Sequence, residues 1–246
     1  MNQGFDFIKR LPDRMDPVVV AMACDDAMLT LAEKGMATIR IYYWGKPELS
    51  LGYFQPADIR LSMGYNPQPP WARRSTGGEA LLHHYEWTYA FALPLGHPLA
   101  SQAASLPCRI HGLIAQGLLA LGYPASLHEG EGIYLDRSGL CFQHLTAGDL
   151  IVGGHKVMGS AQRKRKGAVL QHGGLLLRQS EVEKRLSGLA DLVPNLPLPT
   201  REEFLGWLGD LFGPFFEASA PDLAQWGDEV ALTREQHQSS PWRLKR

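Results

Sequence analysis

The chain has 246 residues, 45% of them hydrophobic, and 24 Lys and Arg against 25 Asp and Glu give a net charge of −1. That length supplies a sizeable core, and the balanced charge excludes a general pull towards nucleic acid or an anionic membrane. Cys24, Cys108 and Cys141 are odd in number and lack CxxC spacing, which argues against a disulfide framework or a zinc ribbon; with no apolar leader and no membrane-length apolar run, the chain reads as cytoplasmic.

In chain order, residues 5–8 read as a first edge strand. Residues 17–34 carry helical apolar spacing (Val18, Met22, Ala23, Met28, Leu29, Ala32), with Asp16 as N-cap, Pro17 in the first turn and Gly35 as the stop. Residues 38–44 and 48–52 are strand-like, 58–61 a helical turn and 66–70 a loop. Residues 71–75 form a strand leading into Thr76-Gly77-Gly78, and 80–83 and 86–93 are expected to pair around a short turn. Residues 103–121 read as a helix ending at Gly122, and 123–142 as a strand followed by an exposed loop. Residues 149–177 read as three strands: 149–152, a Gly153-Gly154 hairpin turn, 155–162, a basic loop 163–166, and 167–177. A short helix at 180–187, a proline-rich connection at 191–199 and closing helices at 200–212 and 221–237 complete the chain. The expected class is α+β, with mixed, largely antiparallel β-sheets and flanking helices. One catalytic domain over 1–246 is expected, with a weak composition change near Pro194 that can mark a small C-terminal helical segment over 195–246.

Three patches carry candidate chemistry. Arg73 to Gly78 (RRSTGG) combines paired glycines, which let backbone approach a ligand, with two arginines suited to a carboxylate or phosphate; strand alternation sends only one arginine to the site, and Arg74 is the choice. A surface turn explains the same pattern. His83-His84 fits no common zinc spacing, so no metal is expected, and His83 is placed at a substrate pocket. Cys141 lies in a polar loop with Lys156 beyond the glycine turn, a cation that favours thiolate over thiol if the two meet. Gly159, Ser160 and Ala161 form a small-residue wall. Gln171-His172-Gly173-Gly174 reads equally as a close-approach site, with His172 at the pocket, or as a bulge. Arg163, Lys164, Arg165 and Lys166 read as a solvated loop or as a landing strip for an acidic partner.

Taken together, Ser50 to Gln55 (SLGYFQ), Arg73 to Gly78 (RRSTGG), Glu86 to Ala90 (EWTYA), Lys156 to Gln162 (KVMGSAQ) and Lys166 to Gly173 (KGAVLQHG) resemble the lipoate-protein ligase A and octanoyltransferase superfamily, related in fold to biotin-protein ligases. Cys141-Phe142 and Glu86-x-Thr88-Tyr89 are similar to the LipM-type octanoyltransferases within it. That resemblance implies octanoyl transfer from acyl carrier protein to a lipoyl domain, such as that of glycine cleavage H protein. It implies Cys141 as acyl-thioester nucleophile, Lys156 as the residue that keeps it a thiolate, a backbone N–H near Cys141 or Gly78 as oxyanion donor, and no cofactor. The alternatives are an ATP- and Mg-dependent lipoate ligase working through an acyl adenylate, and a non-catalytic lipoyl-domain-binding relative. Glu79 stands where LipM-like sequences have Arg, and an acid beside the glycines disfavours a triphosphate. His84 replaces an acidic residue.

Overall fold

The computed structural model describes residues 8–11, 15–215 and 223–244. Elements follow in the order β1 (Ile8–Arg10), α1 (Val18–Glu33), β2 (Ala37–Tyr42), β3 (Glu48–Leu51), α2 (Ile59–Ser62), β4 (Trp71–Arg73), β5 (Leu81–His83), β6 (Glu86–Pro94), α3 (Leu106–Ala120), β7 (Ala125–Leu127), β8 (Ile133–Tyr134), β9 (His144–Leu145), β10 (Leu150–Val152), β11 (His155–Arg165), β12 (Ala168–Leu176), α4 (Leu189–Leu192), α5 (Arg201–Phe212), α6 (Leu223–Gln238) and α7 (Ser240–Arg243). Residues 5–7 of the expected first strand lie outside the described residues.

A seven-stranded sheet runs β1-β2-β6-β12-β11-β10-β7. Only the β1–β2 pair in it is parallel. A three-stranded sheet, β4-β3-β5, flanks it, and β8 pairs with β9. The class is therefore α+β with mixed sheets, as the sequence implies. Among the described residues no helix is long and apolar enough to cross a membrane.

Strand alternation divides the core into two layers. Ile39, Ile41, Phe91, Leu93, Val169 and Leu175 face one way and pack under α3 and α5 with Ile110, Ile114, Leu118, Phe204, Leu208 and Phe212. Their neighbours Tyr42, Ala90, Ala92, Ala168 and Leu170 face the other way, under α1 with Met28 and Leu29. A third cluster joins the small sheet to the Cys141 loop through Leu49, Leu51, Leu82, Leu140 and Phe142. The C-terminal helices are held to this frame: His237 Nε2 lies 2.8 Å from Asp26 Oδ2 on α1, and Trp242 Nε1 donates to Arg73 O at 2.9 Å.

Several local expectations change. α1 begins with Pro17 in the N-cap position, and the donor left open at Val18 is satisfied by Glu48 Oε2 at 2.6 Å, a long-range substitute for the expected Asp16 cap. β5 and β6 do not pair with each other; β5 joins β3 and β6 joins β2 and β12, so the short turn is a crossing between sheets. The basic loop is mostly strand: Arg163, Lys164 and Arg165 pair with Leu170, Val169 and Ala168, and only Lys166 and Gly167, both at positive φ, make the turn. The expected helix at 180–187 is an irregular turn closed by a Ser180–Glu183 bridge, because Glu183 is drawn to Arg185 and Tyr65.

Gly117 of α3 lets α5 dock: a Cβ there would lie 2.1 Å from the Trp207 ring, whereas one at Gly112 of the same helix meets nothing within 4 Å. Gly112→Ala should therefore stabilise the protein by about 0.5–1 kcal/mol, and Gly117→Ala should destabilise it by about 1–3 kcal/mol, in urea denaturation. Equal shifts from both would mean that the α3–α5 contact is not close-packed.

Candidate active site

Lys156 reaches Cys141 because β11 is irregular. Leu150 pairs with Met158 but Ile151 pairs with Lys156, so Val157 is the extra residue of a bulge. Val157 and Met158, though adjacent, both enter the α3-side core. The bulge thus turns Lys156 to the opposite face. Its Nζ lies 3.9 Å from Cys141 Sγ, 3.3 Å from Cys141 O, 3.0 Å from His144 O and 2.7 Å from Asp149 Oδ2. Its side chain is 4% exposed and that of Asp149 7%. Asp149 is fixed by the Thr146 N–H at 2.7 Å and hydroxyl at 3.0 Å. Gly159 makes room for the lysine: a Cβ there would lie 2.7 Å from Lys156 Cε.

Cys141 starts a one-turn 3-10 helix, Cys141–Gln143, and is half-buried. Its N–H donates to Ala80 O at 2.8 Å, and the Ala80 N–H donates to Gly139 O at 2.9 Å. These bonds tie its loop to the segment that follows the glycine loop.

Arg74 shapes that glycine loop. Its Nη2 donates to Gly77 O at 2.8 Å and Glu79 O at 2.7 Å, its Nη1 to Ser50 Oγ at 3.2 Å and Ser50 O at 3.4 Å, and its Nε to Thr76 Oγ1 at 3.2 Å. Burial pulls its pKa below the usual arginine value, with Cys141 opposing. Arg73 turns away: it binds the Gly52, Tyr53 and Gln55 carbonyls and those of Trp242 and Arg243.

Both hydroxyls that accept from Arg74 must donate onwards, and each meets a histidine. Thr76 Oγ1 lies 2.7 Å from His172 Nε2, and His172 Nδ1 lies 2.7 Å from Asp25 Oδ2. Ser50 Oγ lies 2.8 Å from His83 Nε2, and His83 Nδ1 lies 2.7 Å from Glu86 Oε1. The network assigns both rings the same tautomer: Nε2 accepts from the hydroxyl and Nδ1–H donates to the carboxylate. Arg40 and Tyr42 also bind Asp25. Burial pushes the Asp25 carboxyl up, but Arg40, His172 and Tyr42 hold it below the ordinary value of 3.8.

These groups enclose a cavity of about 80 Å³ lined by Cys141, Phe142, Arg74, Gly78, His83, Glu86, Thr88, Met22, His172 and the β11 and β12 backbones at Gly159–Ala161 and Gly173–Gly174. Among the described residues no group of three His, Cys, Asp or Glu side chains converges as a metal site.

Residues 17–191 match the lipoyl protein ligase A/B catalytic domain family. The chain belongs to this family. It is 36% identical over 170 residues to octanoyltransferase LipM of Halalkalibacterium halodurans and 37% identical over 167 residues to that of Brevibacillus brevis; each match covers 63% of this chain and 60% of the relative. The chain thus spans about three fifths of the length of the curated relatives it matches. A putative lipoate protein ligase from T. acidophilum superposes with a TM-score of 0.74 at 19% identity, covering 98% of this chain and 99% of that one, which shows the ligase fold. A lipoate-protein ligase A bound with ATP superposes with a TM-score of 0.72 at 18% identity, covering 97% and 98%.

Within this ligase-family fold the structure gathers most of the residues singled out in the sequence. Cys141, Arg74, Gly78, His83, Gly159, Ser160, Ala161 and His172 line the cavity, Lys156 stands beside Cys141, and Gly77 is not in the lining but accepts from Arg74 through its carbonyl. Gly173-Gly174 lies in unbroken register, so close approach rather than a bulge accounts for it. The basic run does not face the cavity. Arg163 bonds Ser75 O and covers the Tyr53 ring, Arg165 is paired with Glu33, and Lys164 and Lys166 are exposed. His84 lies off the cavity, stacked on Tyr85, with its Nδ1 3.1 Å from Ser180 Oγ; burial lowers its pKa. Burial raises the Glu79 pKa, against the pull of His144 and Lys156. Sequence reasoning missed Asp149, Asp25, Glu86 and Ser50. Asp25 had a signal, since it lies on the apolar stripe of α1 between Met22 and Met28.

Asp25 gives a pH signature. Its folded pKa is depressed, so its contribution to stability is present above pH about 4 and is lost as pH falls through the lower folded value. Asp25→Asn should cost about 3 kcal/mol at pH 7, and the gap to wild type should narrow in urea melts as pH falls below the ordinary carboxylate value towards the depressed folded one. A gap independent of pH would contradict the Asp25 network.

Proposed function

We propose that this chain is an acyltransferase that moves an octanoyl group from octanoyl-acyl carrier protein to a lysine of a lipoyl domain, such as that of glycine cleavage H protein, through a thioester on Cys141. The observation that carries this reading is the Cys141–Lys156 pair, with Sγ and Nζ 3.9 Å apart, at the wall of a largely apolar cavity. The 34–37% identity to LipM octanoyltransferases supports it.

The Lys156 ammonium stabilises a negative sulfur on Cys141. That sulfur attacks the donor thioester carbonyl, the carbonyl–sulfur bond to the carrier breaks, and the carrier thiolate takes a proton from Lys156. The acceptor amine then attacks the Cys141 thioester. Its proton passes to the now neutral Lys156, and Cys141 leaves as thiolate, which restores the starting pair. Because the Cys141 N–H is committed to Ala80 O, Gly78 is the better candidate for oxyanion donor. Asp149 keeps Lys156 aimed at the sulfur. Octanoyl lies along Gly159, Ala161, His172 and Gly174. The exposed Lys164 and Lys166 at the β11–β12 tip offer an acidic carrier or lipoyl domain a first contact. Packing of α5 on α3 and of α6 on α1 supports one catalytic domain rather than a separate C-terminal unit. The reading requires neither ATP nor a metal.

Mass spectrometry of the intact protein after incubation with octanoyl-acyl carrier protein, without ATP, should show one octanoyl adduct that hydroxylamine removes. Cys141→Ala should show none. Lys156→Met should slow adduct formation about 100-fold or more. Gly159→Ala should slow it about tenfold, because the new methyl displaces Lys156. An adduct that forms equally on Cys141→Ala would overturn the thioester route.

A further inference from the structure

We infer that Trp44 and His83 form the stop that sets acyl-chain length. This rests on the acyl-cavity reading above. From β11, beside Cys141, the cavity crosses β12 and reaches β6, two strand spacings or about 10 Å away, which is the reach of an extended octanoyl chain. There it closes on His83, Glu86 and Thr88. A second cavity of about 180 Å³ lies behind this wall, lined by Tyr43, Trp44, Tyr85, Trp87 and Leu177 among others. Glu86 lines both cavities. Between them the Trp44 indole is stacked on the His83 ring, centroids 4.0 Å apart and planes 16° from parallel. His83 faces the first cavity and Trp44 the second.

The partition is rigid. Trp44 Nε1 donates to Thr88 Oγ1 at 2.9 Å, and Thr88 donates to Glu86 Oε1 at 2.6 Å. His83 is held at both nitrogens, by Ser50 and by Glu86. Neither ring swings aside without breaking several of these bonds. The wall also repels longer chains chemically. Glu86 Oε2 is buried and has no hydrogen-bond partner among the described residues. A methylene pressed against this carboxylate would leave that oxygen unpaired and gain no polar contact in return. Chains that stop short of the wall avoid both contacts, while longer chains meet a stacked pair of rings and the Glu86 carboxylate. Removing the indole would leave the His83 ring backed by empty space, so that a longer chain could push it back into the aromatic space behind.

The test is competition among hexanoyl-, octanoyl- and dodecanoyl-acyl carrier protein for Cys141, read as the mass of the thioester adduct. Wild type should take octanoyl first. Trp44→Ala, and to a lesser degree Trp44→Leu, should raise the dodecanoyl-to-octanoyl ratio by at least about tenfold. Gly174→Ala adds a methyl 3.0 Å from Glu86 Oε1 and should shift the preference towards hexanoyl. Circular dichroism checks the fold of each variant. If Trp44→Ala does not fold, Trp44→Leu and Gly174→Ala decide the question. Folded variants that keep the wild-type length profile overturn the stop and leave acyl transfer standing. No adduct on wild type with any donor overturns the acyl-transfer reading, and the stop with it.

Discussion

Arg74 organises the site through its five N–H groups. Two hold the carbonyls of the glycine loop, and the other three reach the hydroxyls and a carbonyl that order His172 and His83. A guanidinium this deeply buried needs its full set of acceptors, since each unmatched donor would be costly. Satisfying it fixes a loop, two ring tautomers and two carboxylates together. The Cys141 loop is hydrogen-bonded to the same glycine segment, so the placement of the thiol is also tied to it.

This inverts the role that residue type alone suggests. Paired arginines before glycines look like anion receptors, yet Arg74 has no donor to spare for a ligand and Arg73 braces the C-terminal helices. The cavity surface is accordingly mostly apolar, although Arg74, Glu86, His83 and His172 belong to its lining with their polar atoms bound to one another and to neighbouring hydroxyls and carboxylates. Such a surface suits a hydrocarbon chain better than a phosphate.

Much of the fold was legible from local pattern. Alternation in Thr38-Ile39-Arg40-Ile41-Tyr42 gives both faces of β2, and Gly153-Gly154 marks the hairpin where both residues have positive φ. What was illegible depends on distant partners. The cap of α1 comes from Glu48, which local sequence cannot show. The basic run 163–166 looked like a loop because its charges mask the strand, while its pairing is dictated by Ala168–Leu170 opposite. In the site, Cys141, Lys156 and His172 stood out by chemical type. Asp149 and Glu86 did not, because an acid followed by apolar residues reads as a solvated strand end until the fold buries it.

The bulge at Val157 makes residue spacing as important as residue identity. Lys156 and Met158 are two positions apart and would share a face in a regular strand; the bulge at Val157 puts the lysine on the Cys141 face instead. Straightening the strand without changing its length, so that Val157 paired with Ile151, would keep every side chain, yet it would carry the lysine through the sheet into the hydrophobic layer beneath α3. Point substitutions along this strand can drift and be repaired one at a time. A change of register has no intermediate of that kind, so the pairing between the glycine turn and Gly159 constrains the site as a unit.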